Sequence, residues 1–175
     1  LAVSYTVKRF TNLQPSIKWP TDVRLRSRKV AGILIESTFT GQALQHSVLG
    51  IGINVNFVTS ESLEISDTAT SMLLESGQSF DRIKILGSVI ETLDDLYATI
   101  CKNESLVEKW ASELDTLGQT VRLESHGNVI EGNAESVDRQ GNLVLRKRNG
   151  SIFTAVAGEV TLQTKNNTYS ESKRC

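Results

Sequence analysis

Two apolar runs separated by a short polar turn constrain this 175-residue chain most strongly. The first is KVAGILIES at residues 29–37, and the second, within residues 45–56, contains the sequence VLGIGINVN. β-branched side chains suit the pleated surface of a sheet, and short apolar runs bounded by turn residues are typical of buried strands. Gly41 lies between the runs and marks a turn. The pattern therefore predicts an antiparallel strand pair at the centre of a sheet.

The residues before this pair predict one helix and two short strands. Residues 16–18 and 23–25 alternate as strands do, a turn at 19–22 separates them, and a tight polar connection follows at 26–28. Helical spacing opens the chain, and this first helix is expected to end near Asn12. Its predicted buried face consists of Leu1, Val3, Val7 and Phe10.

After the strand pair the apolar period becomes helical. Residues 67–70 look like the start of a short helix that ends at Gly77, and Ser79 is a candidate cap for a longer one. A third helix is expected over residues 106–114. We expect these helices to cover one face of the sheet. The apolar stripe of the long helix consists of Ile83, Leu86, Ile90, Leu93 and Tyr97.

The pattern changes again near residue 117. Five short alternating runs follow, namely TVRLES, VIEGNAESV, NLVLRKR, SIFTAV and EVTLQ, with turn sequences at Gly127, Gly141 and Gly150. So many short strands favour a small closed or half-closed barrel. The sequence thus predicts an α+β fold in which residues 1–116 form one domain, residues 117–164 form a small β-domain, and residues 165–175 form a disordered polar tail.

Composition excludes several classes of function. The net charge of −1 gives no broad basic surface for nucleic acid, and no apolar stretch is long enough for a membrane span. The two cysteines show no metal-ligand spacing, so we expect no metal site and a reducing, cytoplasmic location. Because the chain opens at Leu1 in a helical pattern, we expect it to be part of something longer.

Besides the small β-domain, three features are candidates for chemistry. Gly50 and Gly52 leave one face of a strand without side chains, so that a ligand can approach the backbone, and Asn54 follows on that face. Lys29 supplies a positive charge from the neighbouring strand, and Asp22 supplies a carboxylate just after a Trp-Pro turn. Each feature also has a structural interpretation, as tight packing, a solvated lysine and a turn residue respectively.

The motifs together resemble those of the biotin protein ligases. KWPTD at 18–22, KVAGIL at 29–34 and GIGINVN at 50–56 occur in the order of the family's Lys-Trp-Pro-Asn-Asp, Lys-x-Ala-Gly-Ile-Leu and Gly-Ile-Gly-x-Asn motifs, and ATS at 69–71 is similar to its Ala-Thr-Ser helix start. The resemblance implies the rear part of a class II synthetase-like catalytic domain, with a mixed or antiparallel central sheet and covering helices. An SH3-like barrel is implied after residue 117.

The resemblance also implies an activity and its substrates. Members of the family join biotin to ATP, which is supplied with Mg2+, to form biotinyl-5'-AMP, and then pass biotin to a lysine of a biotin carboxyl carrier protein. No permanent cofactor is implied, and a homodimer is possible. A lipoate ligase is a related alternative, and a non-catalytic binding module with the same fold is a second.

Site roles follow by matching positions. Lys29 matches the lysine that contacts the biotin carboxylate and the adenylate phosphate, and Asp22 matches the aspartate that orients or deprotonates the acceptor lysine. The positions implied to line the biotin and adenylate pocket are Thr21, Gly32, Gly50, Gly52, Ile53 and Asn54. Trp19 and Pro20 are expected to anchor and turn the strand end.

Two departures from the family pattern shape what we expect of this chain. Thr21 stands where the family has asparagine, and no Gly-Arg-Gly run, which in the family belongs to the loop that closes over biotin, occurs in the sequence. We therefore expect little or no ligation by these 175 residues by themselves.

Overall fold

The computed structural model describes residues 1–58, 68–125 and 127–162, and the chain divides into two compact units, Leu1–Asp115 and Thr116–Cys175. Each unit contains one antiparallel sheet, and the helices belong to the first unit, so the predicted α+β fold is confirmed. The predicted tail at 165–175 lies outside the described residues. Among the described residues, no helix is both long and apolar enough to cross a membrane.

The sheet of the first unit has four strands in sequence order: β1 (Ser16–Lys18), β2 (Asp22–Leu25), β3 (Arg28–Thr40) and β4 (Ala43–Ile53). The antiparallel pairing predicted from the two apolar runs is confirmed as the β3–β4 hairpin. The predicted burial and central position are wrong for β4, because it is the last strand in the sheet order and most of its residues are exposed. The β2–β3 connection is a two-residue turn in which Arg26 and Ser27 both have positive φ, at 47° and 68°. That backbone matches the twist of the adjoining strands, which is why such a short loop suffices.

In the part of this unit that the structure describes, four helices accompany the sheet: α1 (Ala2–Thr11), α2 (Met72–Ser76), α3 (Arg82–Cys101) and α4 (Val107–Ala111). Helix α1 ends, as predicted, at Asn12, whose left-handed backbone donates its N–H to the Lys8 carbonyl. Gly77 ends α2 in the same conformation.

Two helix starts differ from the prediction. Helix α2 begins after Ser71, whose hydroxyl accepts the Leu74 N–H, because the backbone just before it bonds to β3 through a bridge between Ala69 and Lys29. Asp67, the first residue of the predicted start, lies outside the described residues. Helix α3 is capped by Asp81 rather than Ser79, since the Asp81 carboxylate accepts the Ile83 N–H.

The core lies between the sheet and helices α1, α2 and α3. It is an apolar cluster made of Val3, Val7, Val23, Leu25, Val30, Ala31, Val55, Met72 and Ile85. The prediction for α1 was right in that Val3 and Val7 are buried. For α3 it was wrong, because the helix buries Ile85, Ser88 and Val89 against α1 while Ile83, Leu86, Ile90 and Tyr97 are exposed.

The second unit is a five-stranded antiparallel sheet in the order β8-β7-β6-β5-β9. Its strands are β5 (Thr120–Ser125), β6 (Asn128–Val137), β7 (Leu143–Arg146), β8 (Ile152–Ala155) and β9 (Glu159–Leu162), which confirms the five predicted runs. Gly127, Gly141 and Gly150 all have positive φ, as their turns require. The fully buried side chains of the unit include Val121, Leu123, Leu143, Leu145 and Val160.

The turn between β6 and β7 is organised by Asp138. Its carboxylate accepts the backbone N–H groups of Gln140 and Asn142 and the side-chain amide of Asn142. Desolvation raises the pKa of Asp138, but the hydrogen bonds from Asn142 and the turn backbone outweigh it, so the pKa lies below its ordinary value. This turn is therefore held by a charged group that stays ionised at neutral pH.

Candidate functional site

A β-bulge at Val30 decides which face of the sheet Lys29 lies on. Val23 pairs with Ala31 and Arg24 pairs with Lys29, so two successive residues of β2 face three of β3. In a regular strand, Lys29 and Gly32 would lie on opposite faces because they are three residues apart. The extra residue reverses that parity and places Lys29 on the same face as Asp22 and Gly32.

Two lysines bracket the Asp22 carboxylate on this face. Lys29 Nζ lies 2.7 Å from Asp22 Oδ1, and Lys18 Nζ lies 3.7 Å from Oδ2. Lys18 reaches the same carboxylate because it pairs directly with Asp22 across β1 and β2. The Lys29 side chain remains 47% exposed, so a ligand can reach it. Since Lys29 is about half exposed, its pair with Asp22 contributes little to stability, and the value of the pair lies in placing charge.

Gly32 provides the space in which the Lys29 side chain lies. A Cβ at position 32 would be 2.9 Å from Lys29 Cε, 3.0 Å from its Nζ and 3.8 Å from Asp22 Oδ1. The two short distances to Lys29 would require the lysine side chain to move, whereas the distance to Asp22 is an ordinary contact. The missing side chain of Gly32 therefore lets Lys29 fold across β3 onto Asp22.

The backbone beside this ion pair is bare. Gly32 pairs directly with Gly52, and Leu34 pairs with Gly50, so the three glycines lie on one face of the β3–β4 hairpin. A Cβ at Gly52 would meet nothing within 4 Å, and both Gly50 and Gly52 are exposed. A flat ligand can therefore approach the strand backbone next to Lys29.

Ile53 and Asn54 lie where β4 ends. Ile53 pairs with Ala31 and packs against the apolar core, so its side chain is on the opposite face from Gly52 and is not brought to the ion pair. Asn54 donates its backbone N–H to the Val30 carbonyl and its side-chain amide, at 3.0 Å, to the Thr70 carbonyl. Asn54 thus joins the end of β4 to the segment that precedes α2.

The turn between β1 and β2 carries the remaining predicted residues. Trp19 is 1% exposed, so it anchors the turn in the interior, and its peptide bond to Pro20 is cis. The Thr21 carbonyl accepts the Ile33 N–H at 3.2 Å, which ties the turn to β3. Asp22 then begins β2 with its side chain on the lysine-bearing face.

Sequence reasoning missed a buried carboxylate next to this site. Glu75 on α2 lies within hydrogen-bonding distance of Arg28 and Thr70, and the Thr70 backbone N–H in turn donates to the Lys29 carbonyl. Sequence reasoning also assigned no separate role to Lys18, which was recognised only as part of the KWPTD motif. The signal for Glu75 was a single acidic residue directly after the apolar residues 72–74, but its partner Arg28 is 47 residues away in sequence.

The arrangement can perform two kinds of chemistry. Two ammonium groups beside a bare backbone can bind an anionic ligand and offset negative charge that develops on it. A carboxylate held between them can orient an incoming amine or take up its proton.

Comparison with known proteins supports a single family. Residues 2–54 match the model described as the Biotin/lipoate A/B protein ligase family, and residues 116–163 match the Biotin protein ligase C terminal domain, which is SH3-like. The first match covers α1 and all four strands of the first sheet, including Asp22, Lys29 and Asn54.

Individual curated relatives carry names from the same family. The bifunctional ligase/repressor BirA of Bacillus spizizenii is 28% identical over 160 residues, which make up 89% of this chain and 49% of that protein. The biotin–[acetyl-CoA-carboxylase] ligase of Mycobacterium tuberculosis is 33% identical over 152 residues, or 84% of this chain and 53% of that protein. The chain thus spans about half the length of the curated relatives it matches.

A solved structure extends the likeness to three dimensions. The biotin protein ligase from Aquifex aeolicus in complex with biotin and ATP superposes with a TM-score of 0.75 at 26% identity. The superposition covers 93% of this chain and 67% of that one.

Proposed function

Because this chain belongs to the biotin protein ligase family, we propose that it supplies part of a site where biotin and ATP are joined as biotinyl-5'-AMP, from which biotin passes to a lysine of a biotin carboxyl carrier protein. The observation that carries the proposal is the Lys29–Asp22 ion pair beside the bare backbone of Gly32 and Gly52. A cation, a carboxylate and an open backbone wall are the groups that adenylation and amine transfer require.

In the first step the biotin carboxylate attacks the α-phosphorus of Mg-ATP, a P–O bond forms, and pyrophosphate leaves. Negative charge on the biotin carboxylate and the α-phosphate is brought together in this step. The Lys29 ammonium offsets that charge in the transition state, and Lys18, 3.7 Å from Asp22 on its other side, adds a second positive charge nearby.

In the second step the acceptor lysine amine attacks the carbonyl carbon of the mixed anhydride, and AMP leaves. The amine must lose a proton, because the amide product is neutral. Asp22 orients the amine and receives that proton. Binding of the adenylate to Lys29 weakens the Lys29–Asp22 pair and so frees the carboxylate for this role.

The remaining residues of the motif line the ligand. Gly32, Gly50 and Gly52 leave room for the adenylate against the strand backbone. Asn54 and Thr21 border the same region at the ends of β4 and β2, while Ile53 contributes through the core beneath it. The match of the second unit to a biotin protein ligase C-terminal domain favours biotin over lipoate.

The decisive experiment measures biotin-dependent exchange of pyrophosphate into ATP by the full-length product of the gene. Lys29→Ala is expected to lower the exchange rate by roughly 10²- to 10³-fold, as removal of one group that stabilises developing charge does. Lys84→Ala is the matched control, because Lys84 is an exposed lysine on α3 and lies outside the motifs. Its exchange rate is expected to equal that of the wild type.

Two results would contradict the proposal. Wild-type exchange in the Lys29→Ala protein would remove Lys29 from the site. A folded wild-type protein without any biotin-dependent exchange would favour a non-catalytic binding module, and a thermal shift with ATP and biotin then tests whether the adenylate pocket still binds.

A further inference from the structure

Glu75 is a buried carboxylate that the proposed chemistry does not use. Its side chain is 1% exposed, and its Oε1 accepts hydrogen bonds from Arg28 Nη2 and from Thr70 Oγ1, each at 2.6 Å. Arg26 Nε lies 3.5 Å from the other oxygen, Oε2. Burial of a charged group is costly unless the group is paired in this way.

Thr70 connects Glu75 to the residues of the candidate site. The Thr70 N–H donates to the Lys29 carbonyl at 2.8 Å, and its own carbonyl accepts the Asn54 amide at 3.0 Å. On the other side of the same pairing, the Lys29 N–H donates to the Thr68 carbonyl at 2.8 Å. Residues 68–70 thus continue the sheet beside β3 at the point where β4 has ended.

Arg28 provides a second connection. It directly precedes Lys29 in β3, and the bulge at Val30 follows one residue later. Glu75 therefore fixes both the residue before Lys29 and the segment paired with it. The contacts of Glu75 with Arg28 and Thr70 lie beside the bulge at Val30. This bulge reverses the alternation of side chains along β3 and so places Lys29 on the same face as Asp22.

We infer that Glu75 is a positioning residue, which sets Lys29 and Asn54 for the reaction without touching a ligand. This inference rests on the proposed function. A buried ion pair adds little net stability compared with apolar side chains of equal size, because desolvation offsets its attraction. The contacts of Glu75 with Arg28 and Thr70 instead restrict the residue before Lys29 and the segment that lies beside it.

The test compares Glu75→Gln with Glu91→Gln in the full-length gene product. The first change keeps the shape of the side chain and removes its charge, and the second makes the same change in an exposed ion pair with Arg9. Glu75→Gln is expected to lower kcat of pyrophosphate exchange roughly ten- to a hundredfold, since small displacements of catalytic groups have effects of that size. The KM values are expected to change less than kcat, and Glu91→Gln is expected to match the wild type.

A second pair of variants separates positioning from folding. Thr70→Val removes the hydroxyl bond to Glu75 and keeps the volume, whereas Thr70→Ser keeps the hydroxyl. Thr70→Val is expected to reproduce the loss in kcat and Thr70→Ser to restore most of it. The Thr70→Val/Glu75→Gln double variant is expected to lose less than the product of the single losses, because both changes act on the same contact between residues 70 and 75.

Wild-type kcat in Glu75→Gln or Thr70→Val, accompanied only by a lower Tm, would overturn the inference. If the wild type shows no biotin-dependent pyrophosphate exchange, the proposed function fails. Amide hydrogen exchange then tests separately whether Glu75 positions Lys29. Faster exchange of the Lys29 and Thr70 amides in the Glu75→Gln and Thr70→Val variants than in Glu91→Gln supports it. Unchanged protection of those amides overturns it.

Discussion

At the scale of single residues, the candidate site depends on Gly32, because the absence of a side chain there leaves the space that Lys29 occupies. In Gly32→Ala the new methyl group would meet Lys29 Cε at 2.9 Å. Because this atom is the far end of a flexible side chain, we expect the lysine to shift and the fold to persist. The expected result is a Tm near the wild-type value with a roughly ten- to hundredfold lower rate of pyrophosphate exchange.

Gly52→Ala is the matched comparison on the facing strand. A methyl group there meets nothing within 4 Å, so the free energy of unfolding should change by less than about 0.5 kcal/mol. If the adenylate lies on this wall, KM for biotin or ATP rises while kcat falls less. Full exchange activity in Gly32→Ala would show that the position of Lys29 over Gly32 is not needed.

The sequence predicted part of the site but not the backbone geometry that assembles it. Asp22, Lys29 and Gly32 were expected near one another because of their motifs. The bulge at Val30 was not predicted, since β-branched and apolar residues look alike in a regular and a bulged strand. Ile53 was placed on the ligand side because it belongs to the GIGIN motif, but alternation along β4 turns it toward the core.

At the scale of elements, α3 shows how a helix with apolar residues on more than one side misleads a sequence pattern. The regular stripe through Ile83, Leu86 and Ile90 is exposed in the structure. The face in contact with α1 includes Ser88, whose hydroxyl lies 3.3 Å from that of Thr6, both being buried. A buried serine carries no apolar signal, so only the position of α1 reveals which face is covered.

Two isoleucines on α3 provide a matched test of this assignment. Ile85 is 2% exposed and Ile83 is 79% exposed. Ile85→Ala should therefore lower the free energy of unfolding by about 2–5 kcal/mol, whereas Ile83→Ala should change it by less than about 0.5 kcal/mol. Chemical denaturation of the 175-residue chain measures both. Equal losses would mean that both faces of α3 are packed in solution.

Residues 68–70 were misassigned for a related reason. Thr-Ala-Thr before an apolar run looks like a helix start, because threonine is common at caps. Here the backbone of Thr68 and Thr70 hydrogen-bonds with Lys29, and Ser71 provides the cap. Residues 68–70 bond to β3 rather than starting the helix because β4 no longer pairs with β3 at Lys29. Since β3 lies about 40 residues away in sequence, the local sequence gives no sign of this pairing.

At the scale of the whole molecule, the second unit was predicted well because its pairing is mostly local. Strands β5 to β8 pair in sequence order through short turns. Only the pairing of β9 with β5 joins distant parts of the described chain in that unit, and composition gives no sign of it. The turn glycines and the alternating runs therefore carried most of the information.

The openness of the site face leads to a prediction about the chain as a whole. Gly50 and Gly52 are exposed, Lys29 is about half exposed, and the chain spans about half the length of its curated relatives. Charges in open water stabilise a transition state much less than charges in a site that excludes water. We therefore expect the 175-residue chain by itself to give no biotin-dependent pyrophosphate exchange above background.

The measurement sets this chain beside the full-length gene product at equal concentration, with circular dichroism to show that both are folded. A cooperative melt for the chain together with exchange only in the full-length protein is the expected outcome. Its reason is that the groups which bind charge are in place on the sheet, while in the described residues Lys29, Gly50 and Gly52 remain exposed to water. Exchange or biotinyl transfer by the chain by itself would mean that Lys29, Asp22 and the bare backbone suffice without that cover.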